Sequence, residues 1–307
     1  MATSPTQFGA LRSVFTGRLS EYSRAVKYPR AVPVPVSVLF LVKNEADRLP
    51  EALESVGWAD EVVVVDTGSA DETISLARKA GARVVSIPWD GFVGSRNRAL
   101  QEPVHDWVLF IDADERVSEA LRKEIQTALG RSGAPFDGFS MPRLSRLMGR
   151  EIRHGTWYPD VKMRLGRRSK GFRAMGGRVH EQLVVDGPIG RLGADLLHTP
   201  YRNVSEAIRK VSSYSRLGAE DRFDRGMRAR MSSLLVRPVV EFVRCFILKR
   251  GFLDGRAGFA VAAFHAWSYF LRAAFLFERE KGRNHGTPSG RAGGDASVPG
   301  REGNSRQ

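Results

Sequence analysis

The chain has 307 residues, of which 42% are hydrophobic, and this is enough for one sizeable α/β domain with an appendage. Its formal net charge is +14, and such an excess attracts anions, whether nucleic acid, an acidic membrane surface or phosphorylated substrates. The single cysteine, Cys245, excludes an intrachain disulfide and fits a reducing compartment.

The two ends of the chain lack the patterns of a folded domain. Residues 1–30 predict a loosely docked leader, and their polar, arginine-bearing composition has no continuous apolar core of the length that a signal peptide needs. Residues 282–307 are rich in Gly, Ser, Arg and Pro without aromatic residues, which predicts disorder. Between the ends we expect an α/β domain over 31–200 and a basic helical region over 201–281.

Short apolar runs alternate with helical patterns through the first half of the chain. The runs predict strands over Val36–Val42, Glu61–Val65, Arg83–Ile87 and Trp107–Ile111. The patterns between and after them predict helices over Arg48–Val56, from Ser69 to Gly81, over Gly94–Gln101 and over Glu119–Leu129. Ser69 with Glu72 forms a capping box, and Ser118 caps the last of these helices. This alternation indicates parallel strands with crossover helices. No strand is followed by a Gly-x-Gly-x-x-Gly motif, which argues against a Rossmann dehydrogenase.

Acidic residues follow two of these strands directly. Val62–Val65 leads into Asp66, and Trp107–Ile111 leads into Asp112 and Asp114. Ligands of open α/β sheets bind at the carboxyl ends of strands, so both ends are expected to face one site. Side chains of a strand repeat with period two, so both later carboxylates project to one side if the extended geometry persists through the turn. Such hard oxygen ligands suit Mg²⁺ or Mn²⁺, with substrate phosphates completing the coordination.

Four segments together resemble family 2 glycosyltransferases with the GT-A fold, and in particular the lipopolysaccharide-core β-glycosyltransferases of Gram-negative bacteria. They are VSVLFLVKNE at Val36–Glu45, WADEVVVVDTGSAD at Trp58–Asp71, WDGFVGSRNRAL at Trp89–Leu100 and WVLFIDADE at Trp107–Glu115. The resemblance extends over residues 36–277 and is densest up to Glu115. It implies a mixed, mainly parallel α/β sheet flanked by helices, followed by a helical appendage.

The resemblance assigns roles to the acids at the strand ends. Asp66 would accept a hydrogen bond from the nucleotide base, although an Asp before Gly68 also forms turns by bonding nearby amides. Asp114 would be the direct metal ligand, and Asp112 would contact the ribose or the water shell of the metal. A metal here would offset the negative charge that develops on a departing diphosphate.

Basic and polar residues near these acids complete the expected donor site. Arg96 lies in a segment that in the family borders the nucleotide diphosphate, the alternative being a solvated helix face. Three residues at the end of the first strand are expected to touch the nucleotide: Lys43, Asn44 and Glu45.

Sugar transfer to a hydroxyl also needs a general base. Glu181 lies about where similar proteins place their acidic catalytic residue, and we expect it to be the base, with Asp160 as the second candidate. His180 would orient the base or complete the metal shell, although a His–Glu pair also holds loops structurally. The family pattern around Arg164 usually reads Arg-Leu-Phe-Arg, and Gly166 in place of the aromatic residue leaves the local packing open.

The carboxyl-terminal region has helical spacing and an excess of positive charge, with 17 Lys and Arg against 8 Asp and Glu between residues 201 and 285. Leu234–Leu248 and Phe259–Phe277 are both amphipathic. An arginine at the centre of a spanning helix costs ~2.5–3.5 kcal/mol even on the lenient insertion scale, so Arg272 argues against a transmembrane segment. Two compatible interpretations remain: helices that pack on the catalytic domain, or a basic platform on anionic lipid.

The sequence favours an inverting, metal-dependent glycosyltransferase that moves a hexose from a nucleoside-diphosphate sugar to a hydroxyl of a lipid-linked or cell-envelope glycan. Inversion is implied by the resemblance. We expect it at the inner face of the bacterial inner membrane, without a nucleic-acid partner. The alternative is a non-catalytic basic module that binds membrane or nucleic acid; the net charge supports it, and acids converging at strand ends oppose it. A nucleotidyltransferase would want a Gly-rich basic loop after the first strand, which this chain lacks.

Overall fold

The computed structural model describes residues 34–130, 135–176 and 181–284, which divide into two compact units. The described part of the first unit comprises residues 34–130, 135–142, 161–175 and 182–197. The second comprises residues 143–160, 176, 181 and 198–284. This division differs from the predicted boundary at residue 200, because residues 143–160 group with the later helices. The predicted leader and most of the predicted tail lie outside the described residues.

Parallel strands form the centre of the first unit. Strand β1 (Val36–Val42) pairs with β2 (Glu61–Asp66), and β3 (Arg83–Ser86) lies beside β2. On its other side β1 pairs with β4 (Trp107–Phe110). All three pairings are parallel, and each strand lies within one residue of its predicted bounds. The α/β prediction is thereby confirmed.

Beyond β4 the sheet becomes mixed. The strands that follow in the chain are β5 (Glu115–Val117), β6 (Gly138–Leu147), β7 (Arg150–Glu151), β8 (Asp160–Arg167), β9 (Arg173–Met175), β10 (Gln182–Val184), β11 (Ile189–Arg191) and β12 (Leu196–His198). β8 is antiparallel to β4, and the spatial order of the sheet is β3-β2-β1-β4-β8-β6-β12-β5. β11 is parallel to β6, while β9 and β10 form a separate antiparallel pair.

Helices of the first unit are α1 (Leu49–Glu54), α2 (Thr73–Lys79), α3 (Gly91–Ala99) and α4 (Glu119–Leu129). The predicted cap of α4 is confirmed, since Ser118 Oγ accepts a hydrogen bond from the Leu121 amide at 3.2 Å. The predicted capping box at Ser69 is wrong. Helix α2 begins only at Thr73, and the Ser69 hydroxyl bonds Asp66 instead.

The core of the first unit lies on both faces of the sheet. Val38, Phe40 and Leu109 pack on one face with α1 and α4, whereas their neighbours Leu39 and Phe110 pack on the other face with the end of α3. Because alternate residues enter different layers, the middle of each of these strands needs apolar side chains on both faces. This explains the continuous apolar runs in the sequence.

The glycine that departs from the family pattern has a packing reason. A Cβ atom at Gly166 would lie 2.4 Å from Cδ2 of Phe172, whose ring is buried beside β8. Phe172 therefore occupies the space that a side chain at position 166 would need.

The second unit is mainly helical. The ends of β6 and β7 form a hairpin, in which Met148 and Gly149 both have positive φ, as a tight hairpin turn requires. The helices are α5 (Val204–Asp224), α6 (Met231–Val243), a π-helical turn (Arg244–Leu248), a 3-10 turn (Gly251–Asp254) and α7 (Gly255–Asn284). Helix α7 packs against both α5 and α6 and extends to Asn284, two residues into the predicted tail.

One stretch, Gly251–Lys281, is long and apolar enough to qualify as a membrane-spanning helix on length and hydropathy alone. Only 22% of its most apolar window is buried. This criterion disagrees with the sequence argument from Arg272, and core helices of soluble proteins also pass it. The contacts of the helix, described below, bear on the choice.

Candidate active site

The acids after β4 lie in a tight turn. The strand ends at Phe110, and the turn is closed by a hydrogen bond from the Glu115 amide to the Asp112 carbonyl at 2.9 Å. The Glu115 carboxylate accepts the Asp112 amide at 3.1 Å. Extended geometry therefore does not persist through Asp114, so the condition on which the period-two argument depends is not met. Asp112 and Asp114 are both partly exposed, whereas Glu115 is fully buried.

A buried arginine joins two of these acids. Arg164 Nη2 lies 2.6 Å from Asp112 Oδ2 and 2.6 Å from Glu115 Oε1. Antiparallel pairing of β8 with β4 brings this side chain to the turn. Burial acts to lower the pKa of Arg164, but the two carboxylates outweigh it and raise the pKa above its usual value. The guanidinium is therefore a permanent positive charge that fixes Asp112.

A second arginine approaches Asp112 from the other oxygen. Arg96, on α3, places Nη2 3.3 Å from Asp112 Oδ1, and its guanidinium lies 5.5 Å from the centre of the Phe110 ring. The side chain is only 13% exposed, which contradicts the alternative of a solvated helix face. Its neighbour Asn97 is structural, because its amide exchanges two hydrogen bonds with the backbone of Ala174.

The loops after β1 and β2 are tied together. The Asn44 amide donates to Ser69 Oγ at 2.8 Å, and Asn44 Oδ1 accepts the Ala70 amide at 2.8 Å. The Glu45 amide donates to Thr73 Oγ1 at 2.8 Å. Asn44 has φ of 56°, the left-handed conformation that asparagine tolerates better than most residues. The structure thus brings Asn44 and Glu45 against the loop that follows β2, while Lys43 is exposed beside them.

Asp66 closes its own loop. Its carboxylate accepts the amides of Gly68 at 2.8 Å and Ser69 at 3.1 Å, together with the Ser69 hydroxyl. It is only 2% exposed. These bonds are those of the turn-forming alternative raised by the sequence, so base recognition by Asp66 stays a prediction.

Asp71 is a further acid of this loop, exposed to solvent. Its slight burial acts to raise its pKa, but hydrogen bonds from the Thr73 side chain and amide and from the Ala46 amide lower it overall. The charged carboxylate therefore helps to hold the two loops in register.

The two candidate bases belong to the second unit. Asp160 Oδ2 accepts hydrogen bonds from Arg143 Nε at 3.0 Å and Nη2 at 2.6 Å. Glu181 is partly exposed and follows a segment, 177–180, that lies outside the described residues together with His180. The choice between Glu181 and Asp160 stays a prediction.

Sequence reasoning did not identify Glu115 and Arg164 as members of the site. Strand β8 reads DVKMRLGR and carries four charged residues, so charge alone did not distinguish Arg164; its burial beside the two acids is visible only in the structure. Among the described residues there is no group of three or more His, Cys, Asp or Glu side chains arranged to hold a metal ion. A metal at Asp114 would therefore need ligands from a substrate, as is usual for Mg²⁺.

Comparison with known proteins decides the family. The profile described as "Glycosyl transferase family 2" matches residues 37–177. The lipopolysaccharide core biosynthesis glycosyltransferase LpsC of Rhizobium meliloti (strain 1021) is 32% identical over 253 residues, which cover 80% of this chain and 93% of that protein. The chain is a family 2 glycosyltransferase. An uncharacterized glycosyltransferase of Rickettsia typhi, RT0209, is 29% identical over 262 residues, 81% of this chain and 89% of that protein.

Solved glycosyltransferase structures are more distant in sequence. Staphylococcus aureus TarS 1-349 is 14% identical, with 83% of this chain and 92% of that chain covered and a TM-score of 0.41. A glucosyl-3-phosphoglycerate synthase from Mycobacterium tuberculosis, in complex with Mn²⁺, UDP and phosphoglyceric acid, is 18% identical, with 63% and 79% covered and a TM-score of 0.42.

Membership of the family accounts for the architecture of the first unit. The mixed, mainly parallel sheet with flanking helices is the GT-A architecture expected for a family 2 glycosyltransferase. The profile ends at residue 177 and includes every predicted donor-site residue. Asp160 also lies within it, whereas Glu181 follows its end.

Proposed function

We propose that this glycosyltransferase transfers a hexose, with inversion, from a nucleoside-diphosphate sugar to a hydroxyl of a lipid-linked or cell-envelope glycan of the lipopolysaccharide-core type. The observation that carries the proposal is the charged cluster after β4, in which Arg96 and Arg164 flank Asp112 beside Asp114. It lies at the carboxyl end of a parallel strand, where α/β sheets bind their ligands. The lipopolysaccharide role of LpsC supports the choice of acceptor.

Donor binding would use the two loops and the arginines. Exposed Lys43 and largely buried Arg96 are cations suited to phosphate oxygens. Asn44 and Glu45 shape the nucleotide side through their bonds to the loop after β2, and Asp66 would meet the base from that loop. Asp112, held by two arginines, is rigid enough to contact the ribose.

The residues present fit a divalent cation shared with the substrate. Asp114 offers a hard carboxylate oxygen, and Mg²⁺ or Mn²⁺ is commonly held by one or two carboxylates together with substrate phosphates. When bound there, the cation would supply positive charge to offset that of the departing diphosphate. Asp114 would hold the cation, and Asp112, held in place by Arg96 and Arg164, would orient the water shell of the cation.

Transfer requires one displacement at the anomeric carbon. The acceptor hydroxyl oxygen forms the new bond as the bond to the diphosphate oxygen breaks, and its proton passes to a carboxylate. We assign this proton to Glu181, a partly exposed residue. Asp160 is the weaker candidate, because one of its oxygens already accepts two donors from Arg143. Arg96 and Arg164 would stabilise the negative charge that develops on the leaving group.

A screen of nucleotide sugars tests the proposal. Thermal unfolding of the purified protein with Mn²⁺ and each donor should identify one that stabilises it, since a ligand at about 100 Kd adds about 2.7 kcal/mol. Release of free nucleoside diphosphate, and then transfer to truncated lipopolysaccharide core, should follow with the same donor. NMR of the product should show an anomeric configuration opposite to that of the donor. If no donor stabilises the protein or releases nucleotide, the proposal fails.

A further inference from the structure

Helix α6 exposes its aliphatic side chains and buries an acid, the reverse of the usual pattern of a surface helix. The residue that it buries fully is an acid, Glu241, which is 1% exposed. Its aliphatic side chains face solvent, with Leu235 61%, Val239 62% and Val243 42% exposed, and Val236 and Val240 beside them. Surface helices normally bury their apolar stripe and expose their charges.

The apolar surface continues beyond α6. We call apolar face the set of exposed residues on α6, on the two turns after it and at the start of α7: Leu235, Val236, Val239, Val240, Val243, Ile247, Leu248, Phe252, Leu253 and Phe259. Leu248 at the turn is 73% exposed. A contiguous apolar surface of this kind marks a site of interaction with a partner or a membrane.

Ion pairs on the opposite side fix the direction of this face. Glu241 Oε1 forms an ion pair with Arg237 Nη2 at 2.7 Å, and Oε2 lies 3.3 Å from Arg244 Nη1 and 3.4 Å from His265 Nε2 of α7. The Arg237 guanidinium also lies 5.4 Å from the centre of the Tyr269 ring. Rotation of α6 to bury its aliphatic residues would break these contacts and expose the acid. The outward direction of the apolar face is therefore built into the fold.

The exposed charges of residues 226–259 have one sign. Arg237 and Arg244 pair with Glu241 on the opposite side, and the remaining basic residues are all exposed: Arg228, Arg230, Lys249, Arg250 and Arg256. The acids of residues 226–259 are Glu241 and Asp254, and both are buried. A second copy of the chain would bring the same positive charges against this surface, which opposes self-association. Anionic lipid headgroups around a hydrocarbon interior match both its charge and its apolarity.

The contacts of α7 oppose a spanning helix. Its later half packs on the charged helix α5, where Arg279 pairs with Glu220 at 3.2 Å and Arg216 lies over the ring of Phe275. A bilayer-spanning α7 would take these charges into hydrocarbon, which is costly. Trp267 is 45% exposed on α7, and tryptophan favours the membrane–water interface.

We propose that the apolar face inserts into the headgroup–acyl boundary of an anionic membrane, as a monotopic anchor that does not cross the bilayer. Insertion depends on the exposed aliphatic and aromatic side chains, and the flanking basic residues add attraction to anionic headgroups. The anchor is independent of the donor and of the reaction, and it would hold the enzyme at a surface that carries lipid-linked acceptors.

Replacing four valines tests insertion without disturbing the fold. The variant Val236→Thr/Val239→Thr/Val240→Thr/Val243→Thr keeps the shape of exposed side chains and removes their apolarity. The matched control is Val104→Thr/Ile189→Thr, at positions 69% and 50% exposed in the first unit. Circular dichroism and thermal unfolding should show all three proteins folded alike.

Flotation with liposomes of phosphatidylcholine and phosphatidylglycerol gives the readout. Wild type and control should float, and a substantial fraction should stay bound at about 1 M NaCl, where the Debye length is about 3 Å. The valine variant should partition at least about tenfold more weakly. Unchanged hydrolysis of the nucleotide sugar by this variant would separate anchoring from catalysis, so loss of one does not imply loss of the other.

Three results would overturn the anchor. Equal flotation of the valine variant and wild type would show that the apolar face does not insert. Complete release of wild type by salt would leave charge as the whole attraction. A dimer without lipid that the valine substitutions dissociate would identify a second copy as the occupant.

Discussion

Arg164 determines how the acids after β4 are arranged. Its guanidinium bonds Asp112 and the fully buried Glu115, and a buried carboxylate is tolerated only when paired. In formal charge, Arg96 and Arg164 balance these two acids, so Asp114 gives the cluster its net charge of −1. This net negative charge favours a cation at the cluster, in keeping with the proposed role of Asp114.

The sequence identified the acids but not the residue that holds them. Asp112 and Asp114 follow a buried strand directly, so local pattern is sufficient to locate them. Arg164 lies 52 residues after Asp112, and the two meet only through the antiparallel register of β8 and β4. Such a register is a tertiary property that one sequence does not reveal.

Replacing Asp114 by Asn should abolish most turnover while leaving the fold intact. A neutral amide is a poorer ligand for a hard cation, so kcat should fall by about a hundredfold or more across a Mn²⁺ titration. Thermal unfolding should match that of wild type. Asp90→Asn, at an exposed acid that pairs with Arg98 of α3, is the control and should keep full activity. Activity that survives both Asp114→Asn and EDTA would exclude a metal role.

Replacing Arg164 by Met should destabilise the first unit strongly. Glu115 would remain buried without its cation, and breaking such a pair lowers the free energy of unfolding by about 3–5 kcal/mol. Urea unfolding measures the change, and adding Glu115→Gln should recover part of it. Arg98→Met removes an exposed pair and should cost at most about 1 kcal/mol. Equal losses for both arginines would show that Arg164 is not structurally central.

At the scale of elements, the strands were predictable and the loops were not. Strands β1, β2 and β4 carry nearly continuous apolar runs because both faces of the sheet are covered, and that pattern is visible in the sequence. Ser69 and Glu72 have the spacing of a helix cap, yet Ser69 bonds Asn44 and Asp66 instead. Serine favours whichever backbone or side-chain partner the tertiary fold supplies, so local spacing did not decide.

Glu61 links the beginnings of β1, β2 and β3, and its carboxylate should make the stability of the fold depend on pH. Partial burial acts to raise its pKa, but hydrogen bonds from Ser37, the Val104 amide and Arg83 lower the pKa overall. A group with a lowered pKa stabilises the fold when the pH is above its unfolded pKa, about 4.3 for a glutamate. This stabilisation is lost as the pH falls through the folded pKa. Glu61→Gln should therefore be less stable near neutral pH and lose less stability on acidification.

Urea unfolding from about pH 6 down to about pH 3 measures this difference, because the window brackets the unfolded pKa of a glutamate. Glu119→Gln, at a side chain 59% exposed on α4, is the matched control and should follow the wild-type curve. Parallel curves of unfolding free energy against pH for Glu61→Gln and wild type would contradict this role of Glu61.

Glu181→Gln should abolish transfer and preserve donor binding, because the base acts on the acceptor hydroxyl. Donor affinity measured by calorimetry should stay near that of wild type. Asp160→Asn should keep part of the activity, since this residue contacts Arg143 and is not assigned the proton. A dead Asp160→Asn enzyme together with an active Glu181→Gln enzyme would reverse the assignment.

At the scale of the whole molecule, part of the positive charge excess lies beside the apolar face. Periodicity in the sequence predicted amphipathic helices over Leu234–Leu248 and Phe259–Phe277. It did not reveal that α6 faces its apolar side outward, because periodicity identifies a face and not the medium that covers it. The stripe of Arg237, Glu241 and Arg244 is real, but it faces the protein through the buried Glu241.

Arg244 differs from the other basic residues between positions 244 and 256. Lys249, Arg250 and Arg256 are exposed and form no ion pair with another described residue, whereas Arg244 pairs with the buried Glu241. Reversing Arg244 would place two acids together. Arg244→Glu should lower the unfolding temperature, and the other three reversals should not.

The triple variant Lys249→Glu/Arg250→Glu/Arg256→Glu should weaken binding to anionic liposomes at low salt. Each basic residue near an anionic surface contributes ~1 kcal/mol, so losing three attractions weakens binding by about two orders of magnitude. The difference from wild type should shrink as salt rises and screens the charges, and it should be absent on neutral liposomes. Co-sedimentation across a salt series measures it. Because the apolar face is intact in this variant, residual binding at high salt should equal that of wild type. A triple variant that binds anionic liposomes as tightly as wild type at every salt concentration would show that attachment owes nothing to these charges.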